Sequence, residues 1–284
     1  MKIVDRKTKK EKEMVYSKGV IFLYKNVFGR IILKIIGNRF VSKIVGSYMN
    51  SSLSKRRINK TIKNNNINMD LYEKREFTSF NDFFTRHKKS LDFDMNKNHL
   101  ISPCDSKLMA IKLNKKASFD IKGSRYTLKN IINEDLTKEY ENGYALIFRL
   151  EVTDYHRYHF IDDGTREQYK YIKGKLHTVQ PIAVERYRVF HQNAREYTIL
   201  HTENFGDVVQ VEVGAMMVGK IKNNHSIHKF HRGDEKGYFE FGGSTIILFF
   251  KDNKIIVDDD ILFNSTLGKE TIVSCGEKIG IKKK

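Results

Sequence analysis

The hydrophobic pattern along the chain predicts two structurally different parts. Between residues 15 and 49, apolar runs are interrupted by single cations, and within residues 30–36 and 39–48 two cations are spaced four residues apart. Because residues i and i+4 lie on one face of a helix, this spacing predicts short amphipathic helices with a cationic face. Gly29 and Gly37 are predicted to separate these helices, since glycine disfavours a helix interior. No stretch approaches the ~20 apolar residues that a membrane-spanning helix needs.

The other segments before residue 95 are more polar. Residues 1–13 carry charges of both signs and are expected to be frayed, and residues 53–69 are predicted to form a loop or a solvated helix. In residues 77–86 (FTSFNDFFTR), Ser79 precedes a compact aromatic run, so a short capped helix is expected. The part of the chain up to about residue 95 is therefore predicted to be mainly helical.

After His99 the pattern changes to short alternating segments separated by glycines. Alternation of apolar and polar positions over four to eight residues is typical of strands. One helix is predicted at residues 128–132, and strands are predicted at residues 107–113, 118–121, 144–150, 208–213 and 245–250. The predicted fold class is α+β, with N-terminal amphipathic helices followed by a mostly antiparallel, β-rich body at residues 96–284.

The chain is strongly basic, because 52 Lys and Arg against 34 Asp and Glu give a net charge of +18 among 284 residues. A compositional bias toward Lys, Asn and Ile explains part of this excess, and the rest indicates an anionic partner. Nucleic acid and a membrane surface are the two candidates. The sequence has no helix-turn-helix, zinc-finger spacing or RNA-binding aromatic signature, whereas cationic amphipathic helices suit the plane of a bilayer surface. Ordinary helices packed on the body are the structural alternative.

Features that the sequence lacks narrow the function classes further. No unbroken apolar segment of the kind that a signal peptide needs follows the N-terminus, so we expect a peripheral protein on the cytoplasmic side of the cell membrane. Two cysteines, Cys104 and Cys275, are too few for a disulfide framework or a four-Cys zinc site. Cys104 is expected to be a small buried side chain, and His225, His228 and His231 are expected in a solvated loop. No metal site is predicted.

Three segments carry residues that could perform chemistry. Asp105 lies two residues after Pro103, although an Asp in this setting is commonly a turn residue. His156 and His159 lie three residues apart among aromatic residues, which is consistent with catalysis, a metal site or a pH-sensitive pair. The FGGST sequence at residues 241–245 leads directly into an apolar strand, although a Gly-Gly pair is often only a turn.

In this order the three segments resemble the phosphatidylserine decarboxylase family, the pyruvoyl-dependent membrane enzymes that make phosphatidylethanolamine. The chain departs from the family pattern at Ser106, where a glycine is usual, and at Val152, near a common proline. The resemblance covers most of the chain. It rests on the acidic turn at residues 103–105, on Asn193 with Arg195, and on the strings FNDFFTR at 80–86, RLEVTDYHRYHF at 149–160, VGAMMVGKI at 213–221 and GDEKGYFEFGGST at 233–245.

The resemblance implies that the chain cleaves itself between Gly243 and Ser244, with His159 as the base and Asp105 as the residue that orients it. Ser244 would become a covalent pyruvoyl cofactor, the electron sink that a decarboxylase requires and that no ordinary side chain supplies. The amine of phosphatidylserine would form a Schiff base with this group, and His156 is the implied proton donor. The products would be phosphatidylethanolamine and CO2.

The implied partners are phosphatidylserine, an anionic membrane surface, and the two products of cleavage, the large chain 1–243 and the small chain 244–284. A homodimer is left open, and nucleic acid is not expected to bind. Residues 1–95 would then be the membrane-associating region and residues 96–284 the catalytic domain. The alternatives are a basic nucleic-acid-binding protein, which would explain the charge alone, and a non-catalytic membrane-surface protein that is not cleaved.

Overall fold

The computed structural model describes residues 1–36, 39–121, 123–184, 187–215, 220–242 and 244–283. The helices are α1 (Lys18–Lys25), α2 (Val27–Ile36), α3 (Arg39–Asn50), α4 (Arg56–Asn65), α5 (Phe80–Phe84), α6 (Leu128–Ile132), α7 (Thr137–Tyr140), α8 (Pro181–Val184), α9 (Val189–Gln192) and α10 (Asp259–Thr266). Short 3-10 turns occupy Ser52–Lys55 and Met69–Leu71.

The strands make up most of the chain after the N-terminal helices. They are β1 (Lys2–Asp5), β2 (Glu11–Glu13), β3 (His99–Ile101), β4 (Ser106–Lys112), β5 (Ser118–Ile121), β6 (Ser124–Thr127), β7 (Tyr144–Leu150), β8 (Arg157–His159), β9 (Gly164–Arg166), β10 (Lys170–Ile172), β11 (Arg195–Thr202), β12 (Gly206–Val213), β13 (Ile221–Asn223), β14 (Lys229–Phe230), β15 (Glu235–Phe239), β16 (Ser244–Phe250), β17 (Ile255–Val257), β18 (Glu270–Val273) and β19 (Lys278–Lys282).

A large sheet of eleven strands organises the molecule. Ten strands follow the order β14-β9-β11-β12-β16-β7-β4-β18-β1-β2, and β10 pairs with β11 beside this path. The pairs are antiparallel except for β1 with β18, which is parallel. Smaller sheets are formed by β13-β15-β8, by β17-β19-β3 and by β5-β6. The prediction of an α+β fold with a mostly antiparallel body is confirmed.

The central strands of the large sheet are buried on both faces, because successive side chains alternate between two hydrophobic clusters. In β7, Ala145 and Ile147 belong to a cluster that also contains residues of α1, α6, α8 and α9. Leu146, Phe148 and Leu150 belong to the opposite cluster, with residues of β3, β8, β15, β19 and α10. The central strands β7 and β16 are therefore nearly continuous apolar runs rather than the predicted alternating segments. The five predicted strand segments and the helix at 128–132 are all present.

The N-terminal residues belong to the large sheet, so the prediction that they are frayed is wrong. Ile3 and Val4 are buried, and β1 pairs with β18 near the other end of the chain. Arg6 donates to the carboxylates of Asp258 and Asp260 at the start of α10. The charges of both signs in this segment therefore belong to a paired strand and to the ion pairs that Arg6, the residue after β1, forms at the start of α10.

The prediction that Gly29 separates two helices is also wrong, and Gly37 lies outside the described residues. Gly29 is inside α2, and the chain leaves α1 at Asn26, whose backbone is extended. A Cβ atom on Gly29 would lie 2.1 Å from the carbonyl oxygen of Phe22. The glycine therefore allows α1 and α2 to pack closely and does not interrupt a helix.

Helices α3, α4 and α5 pack around a third hydrophobic cluster that includes Met49, Ile58, Phe83 and Phe84. The predicted cap of α5 is confirmed, because Ser79 Oγ accepts a hydrogen bond from the backbone N–H of Asp82. Helices α1 and α2 leave much of their apolar surface exposed. Of the helices among the described residues, none is both long and apolar enough to cross a bilayer.

Candidate active site

One edge of the large sheet gathers the ends of five neighbouring strands. Strands β4 and β16 start there, and the antiparallel strands β7, β12 and β18 end there. The register pairs Ser244 with Leu150, and Val273 with Ser106. Asp105 immediately precedes β4 and Ser244 is the first residue of β16. Two of the predicted site residues therefore lie at the same edge of the sheet.

Ser244 is buried at this edge, with 2% of its surface exposed. Gly242 has a φ of +148°, a conformation that residues with a side chain rarely adopt. Gly243, the other residue of the predicted cleavage site, lies outside the described residues. The backbone at Gly242, two residues before Ser244, thus has a geometry that depends on glycine.

The two histidines are held between the Asp105 turn and the strand that leads toward Ser244. The backbone N–H of His159 donates to the carbonyl of Pro103 at 2.9 Å. The carbonyl of His156 accepts from the backbone N–H of Phe239 at 3.0 Å. Strand β8 therefore connects the turn before β4 with β15, the strand that precedes β16.

The His159 ring has one fixed and one free nitrogen. Its Nδ1 donates to the carbonyl of Gly233 at 2.9 Å, and Nε2 is buried with no partner among the described residues. The ring lies between the rings of Phe93 and Tyr155, at centroid distances of 5.2 and 6.0 Å. Burial lowers the pKa of His159, so the ring is neutral at neutral pH. Because Nδ1 carries the proton, Nε2 has a free lone pair and can act as a base.

The His156 ring has the same arrangement in a more apolar setting. Its Nδ1 donates to the carbonyl of Asp154 at 2.9 Å, and its buried Nε2 has no partner among the described residues. The ring lies 3.9 Å from the ring of Phe84. Burial, and secondarily the nearby Arg86, lowers the pKa of His156 to about 3. At neutral pH His156 must therefore accept a proton before it can donate one.

Asp105 is anchored by Lys88 and by the end of β18. The Lys88 ammonium lies 2.7 Å from one carboxylate oxygen, and the backbone N–H of Cys275 donates to the other at 2.8 Å. Lys88 also lies 5.2 Å from the centroid of the Tyr155 ring, which stacks on His159. Gly233, rather than Asp105, accepts the hydrogen bond from His159 Nδ1.

A buried ionic network supports the turn between β7 and β8. The Lys107 ammonium lies 2.7 Å from both carboxylate oxygens of Asp154 and 3.3 Å from Glu151. Arg149 pairs with Glu151 and with Glu270 on β18. The carbonyl of Asp154 holds the first histidine of the site, so this network positions that histidine as well as the turn.

Aromatic residues of α5 join the histidine segment to the segment before Ser244. The ring of Phe241 lies 5.3 Å from that of Phe84 and 5.0 Å from that of Phe80. The backbone N–H of Phe241 donates to the side-chain oxygen of Asn81 at 2.8 Å. The FNDFFTR string was visible in the sequence, but its contact with the predicted cleavage segment was not.

The other residues that the sequence analysis named are not part of the candidate active site. Asn193 bonds the backbone of His177 and Gly214, and Arg195 donates to backbone carbonyls that include that of Ile131. Burial raises the pKa of the free Cys104 thiol, consistent with a small buried side chain. The three histidines of the predicted loop, His225, His228 and His231, are exposed. Within the described residues, His, Cys, Asp and Glu form no cluster that could hold a metal ion.

Comparison with known proteins decides the family. The model of the family described as phosphatidylserine decarboxylase matches residues 80–281. Phosphatidylserine decarboxylase proenzyme 2 of Clostridium acetobutylicum is 51% identical over 273 residues, which cover 94% of both chains. The chain belongs to the phosphatidylserine decarboxylase family. Two phosphatidylserine decarboxylase proenzymes agree with this assignment. The one from Clostridium botulinum (strain Kyoto / Type A2) is 51% identical over 225 residues, which cover 76% of both chains. The one from Desulfitobacterium hafniense is 44% identical over 226 residues, which cover 77% of this chain and 76% of that one.

The family resemblance inferred from the sequence strings is confirmed, and with it the prediction of an enzyme of this family. The matched region begins at α5 and ends in β19. It contains Asp105, both candidate histidines and the predicted cleavage site. The helices α1 to α4 lie outside the region that the family model matches, although the Clostridium acetobutylicum relative covers most of them.

Proposed function

We propose that this member of the family converts phosphatidylserine to phosphatidylethanolamine and CO2 after cleaving itself between Gly243 and Ser244. The observation that supports this most strongly is that the buried Ser244 and the Asp105 turn lie at one sheet edge, and that the histidine segment is hydrogen-bonded to that turn and to β15. Each imidazole has a buried Nε2 without a partner among the described residues. Unsatisfied buried nitrogens are costly unless a reacting group uses them.

Self-cleavage requires a base for the Ser244 hydroxyl. In the proposed step, Ser244 Oγ attacks the carbonyl carbon of Gly243 while His159 Nε2 accepts the hydroxyl proton. The C–N bond breaks, an ester forms, and the same proton passes to the leaving amide nitrogen. Loss of the Ser244 Cα proton then expels the Gly243 carboxylate, and water replaces the nitrogen as ammonia. The chain 244–284 is left with a ketone at its N-terminus.

The residues present fit a pyruvoyl group at position 244. Ser244 is buried at a strand start, and Gly242 provides an unusual backbone two residues before it. When bound, the pyruvoyl carbonyl supplies an acceptor for the electron pair that remains when CO2 departs. Burial excludes water, which strengthens the interactions of charged groups within the site.

His156 is proposed to move a proton rather than to store one. Its pKa of about 3 keeps Nε2 unprotonated at neutral pH. The ammonium of phosphatidylserine must lose a proton before its nitrogen can react, and Nε2 can accept that proton. The resulting imidazolium can then donate to the carbon that has lost CO2. This assignment keeps His156 as the proton donor and explains how a neutral residue acquires the proton.

Asp105 and Lys88 are proposed to position the base rather than to exchange protons with substrate. The pair lies beside Tyr155, whose ring stacks on His159. Burial and, to a smaller extent, Lys88 lower the pKa of His159. The pair therefore acts by fixing the turn before β4, where the carbonyl of Pro103 accepts a hydrogen bond from the backbone N–H of His159. Lys88 holds the Asp105 carboxylate in one orientation before cleavage.

The N-terminal helices are proposed to hold the enzyme on an anionic membrane surface. Residues 14–69 contain eleven Lys and Arg and no Asp or Glu. Val27, Phe28 and Ile31 on α2 are 60%, 72% and 55% exposed, beside the cations Arg30 and Lys34. Exposed apolar side chains among cations suit binding within the plane of an anionic bilayer. Phosphatidylserine is a lipid, so its headgroup is accessible only at such a surface.

The test is the Ser244→Ala variant, with Ser106→Ala as the matched control. Both serines are buried at the same sheet edge, but only Ser244 directly follows the proposed cleavage bond. We expect Ser244→Ala to remain at full length on denaturing gels and to release no CO2 from phosphatidylserine, because it lacks the attacking hydroxyl. Ser106→Ala should be cleaved and active. An active, full-length Ser244→Ala protein would disprove the proposal.

A further inference from the structure

A cavity with a volume of about 360 Å³ lies between helix α2 and the segment that follows β10. Arg30 and Lys34 line it from α2, and Lys175 and His177 line it from the opposite side. Neither Ser244 nor either histidine of the candidate active site lines this cavity. Its chemistry is therefore separate from the decarboxylation site.

Three cations surround the cavity without partners of opposite charge. Arg30 and Lys34 are four residues apart and so share one face of α2. Lys175 approaches from the segment after β10. None of the three forms an ion pair with another described residue, and no described acidic residue lines the cavity. A concave surface with three unpaired cations attracts an anion more strongly than isolated surface cations do.

His177 adds an unsatisfied polar group to the same cavity. It is 7% exposed, and both ring nitrogens are buried with no hydrogen-bond partner among the described residues. The ring stacks on Tyr187 at 4.5 Å and 13°, and its backbone N–H and carbonyl both bond the side chain of Asn193. The imidazole is thus held rigidly, and an oxygen-rich ligand would give it the partner that it lacks.

Apolar side chains extend from the cavity to the exposed face of α2. Val27 and Ile31 line the cavity, yet 60% and 55% of their surfaces are exposed. They are four residues apart, so they form a continuous apolar strip beside the cations. A free inorganic anion would make no use of this strip, whereas the acyl chains of a lipid would cover it.

We propose that this cavity binds the phosphate group of an anionic phospholipid, with the acyl chains lying against the apolar strip of α2. The cations Arg30, Lys34 and Lys175 contact the phosphate, and the His177 ring donates a hydrogen bond to it. The bound lipid is not the substrate in the act of decarboxylation, but a second molecule that fixes α2 on the membrane. The inference rests on the proposed membrane docking and does not depend on the cleavage of Ser244.

The test measures binding of short-chain phosphatidylglycerol, which has no amine and cannot be decarboxylated, to the full protein by calorimetry. The double variant Arg30→Gln/Lys34→Gln should bind about tenfold or more weakly, because charge-assisted contacts to phosphate are lost. The control Lys222→Gln/Lys229→Gln removes the same charge from exposed positions on β13 and β14 and should bind within about twofold of wild type.

His177→Phe provides a second variant that keeps the stacking on Tyr187 and removes both ring nitrogens. It should weaken binding several-fold. Inorganic phosphate, measured in parallel, should bind much more weakly than the short-chain lipid because it cannot use the apolar strip. Equal losses in the cavity and control variants, or equal affinity for inorganic phosphate and lipid, would overturn the proposal. Gels run on every variant report self-cleavage, so a failure of the proposed function is seen separately.

Discussion

The cations of the sheet body and those of the N-terminal helices are used in different ways. In the body, Lys107, Arg149 and Lys236 are buried, and each is paired with a carboxylate. In residues 14–69, which have no acidic residue, no described cation forms an ion pair with a carboxylate. Paired buried cations fix local structure, whereas unpaired exposed cations remain available to an external anion. The position of the acidic residues, rather than the net charge of +18, therefore determines which cations are left unpaired.

Among variants that distinguish the paired cations of the body from the unpaired cations of the helices, Lys107→Met is expected to have the largest effect on stability. This change leaves the buried Asp154 carboxylate without its partner and should lower the free energy of unfolding by about 3–5 kcal/mol. Lys34→Met is the matched control, because Lys34 is exposed and unpaired among the described residues; its effect should be within about 0.5 kcal/mol. Urea unfolding monitored by circular dichroism measures both. Similar losses of stability in the two variants would contradict the comparison.

Removing helix cations should leave stability unchanged and weaken membrane binding. Each Lys near an anionic surface contributes about 1 kcal/mol, so Lys18→Gln/Lys25→Gln/Lys43→Gln should bind anionic vesicles about a hundredfold more weakly. Sedimentation with vesicles of phosphatidylglycerol measures this at low salt. Raising the salt concentration should reduce wild-type binding in the same way, because it screens exposed charges. Binding that is unaffected by both changes would show that these helices do not dock through their cations.

His156→Phe should reduce the sensitivity of the fold to acid. The pKa of folded His156 is about 3 against an ordinary value of 6.5, so the unfolded chain binds more protons between these values. Wild-type stability must therefore fall as the pH drops from 6.5 toward 3, and above 6.5 this contribution is constant. The variant lacks the group, so its loss between pH 7 and 4.5 should be smaller by roughly 2–3 kcal/mol. An identical loss in both proteins would mean that His156 is not buried as a neutral ring.

The smallest effect is expected on the rate of self-cleavage, from a change at Lys88. This cation lies in the N-terminal part of the sequence, before residue 95, but it is paired with a carboxylate, as the buried cations of the sheet body are. Lys88→Met frees the Asp105 carboxylate and should slow self-cleavage about tenfold, a loss typical of disturbed positioning. Lys88→Arg should restore most of the rate, because it keeps the charge and can still reach the carboxylate. The rate is followed on gels from newly synthesised protein. If the Lys88→Met protein were cleaved at the wild-type rate, Lys88 would have no role in positioning the cleavage site.

Much of the fold was predictable because its signals are local. The five predicted strand segments and the Ser79 cap depend on residues within one turn or one strand, and all are present. The N-terminal strand was missed because Ile3 and Val4 are buried only through pairing with β18, near the other end of the chain. The role of Gly29 was missed for the same reason, since its neighbour Phe22 belongs to another helix.

The candidate site was predictable in its residue types but not in its contacts. The motifs around Asp105, the two histidines and Ser244 could be read directly, whereas the placement of Asp105 and Ser244 at one sheet edge depends on the register of β4, β7 and β16. Lys88 carries no sequence signal for its pairing with Asp105. His159 Nδ1 donates to the backbone carbonyl of Gly233. Every residue has a backbone carbonyl, so the sequence cannot indicate which one accepts this hydrogen bond.

Ser244 is proposed to become a pyruvoyl group, whose ketone lies at the N-terminus of a new chain. The most direct measurement is intact mass spectrometry of active protein before and after reduction with borohydride. Two chains are predicted, 1–243 and 244–284, and the small chain should carry a blocked N-terminus that borohydride reduces with loss of activity. Fully active protein that consists of the uncut chain, or of a small chain that begins with an unmodified serine, would contradict the claim.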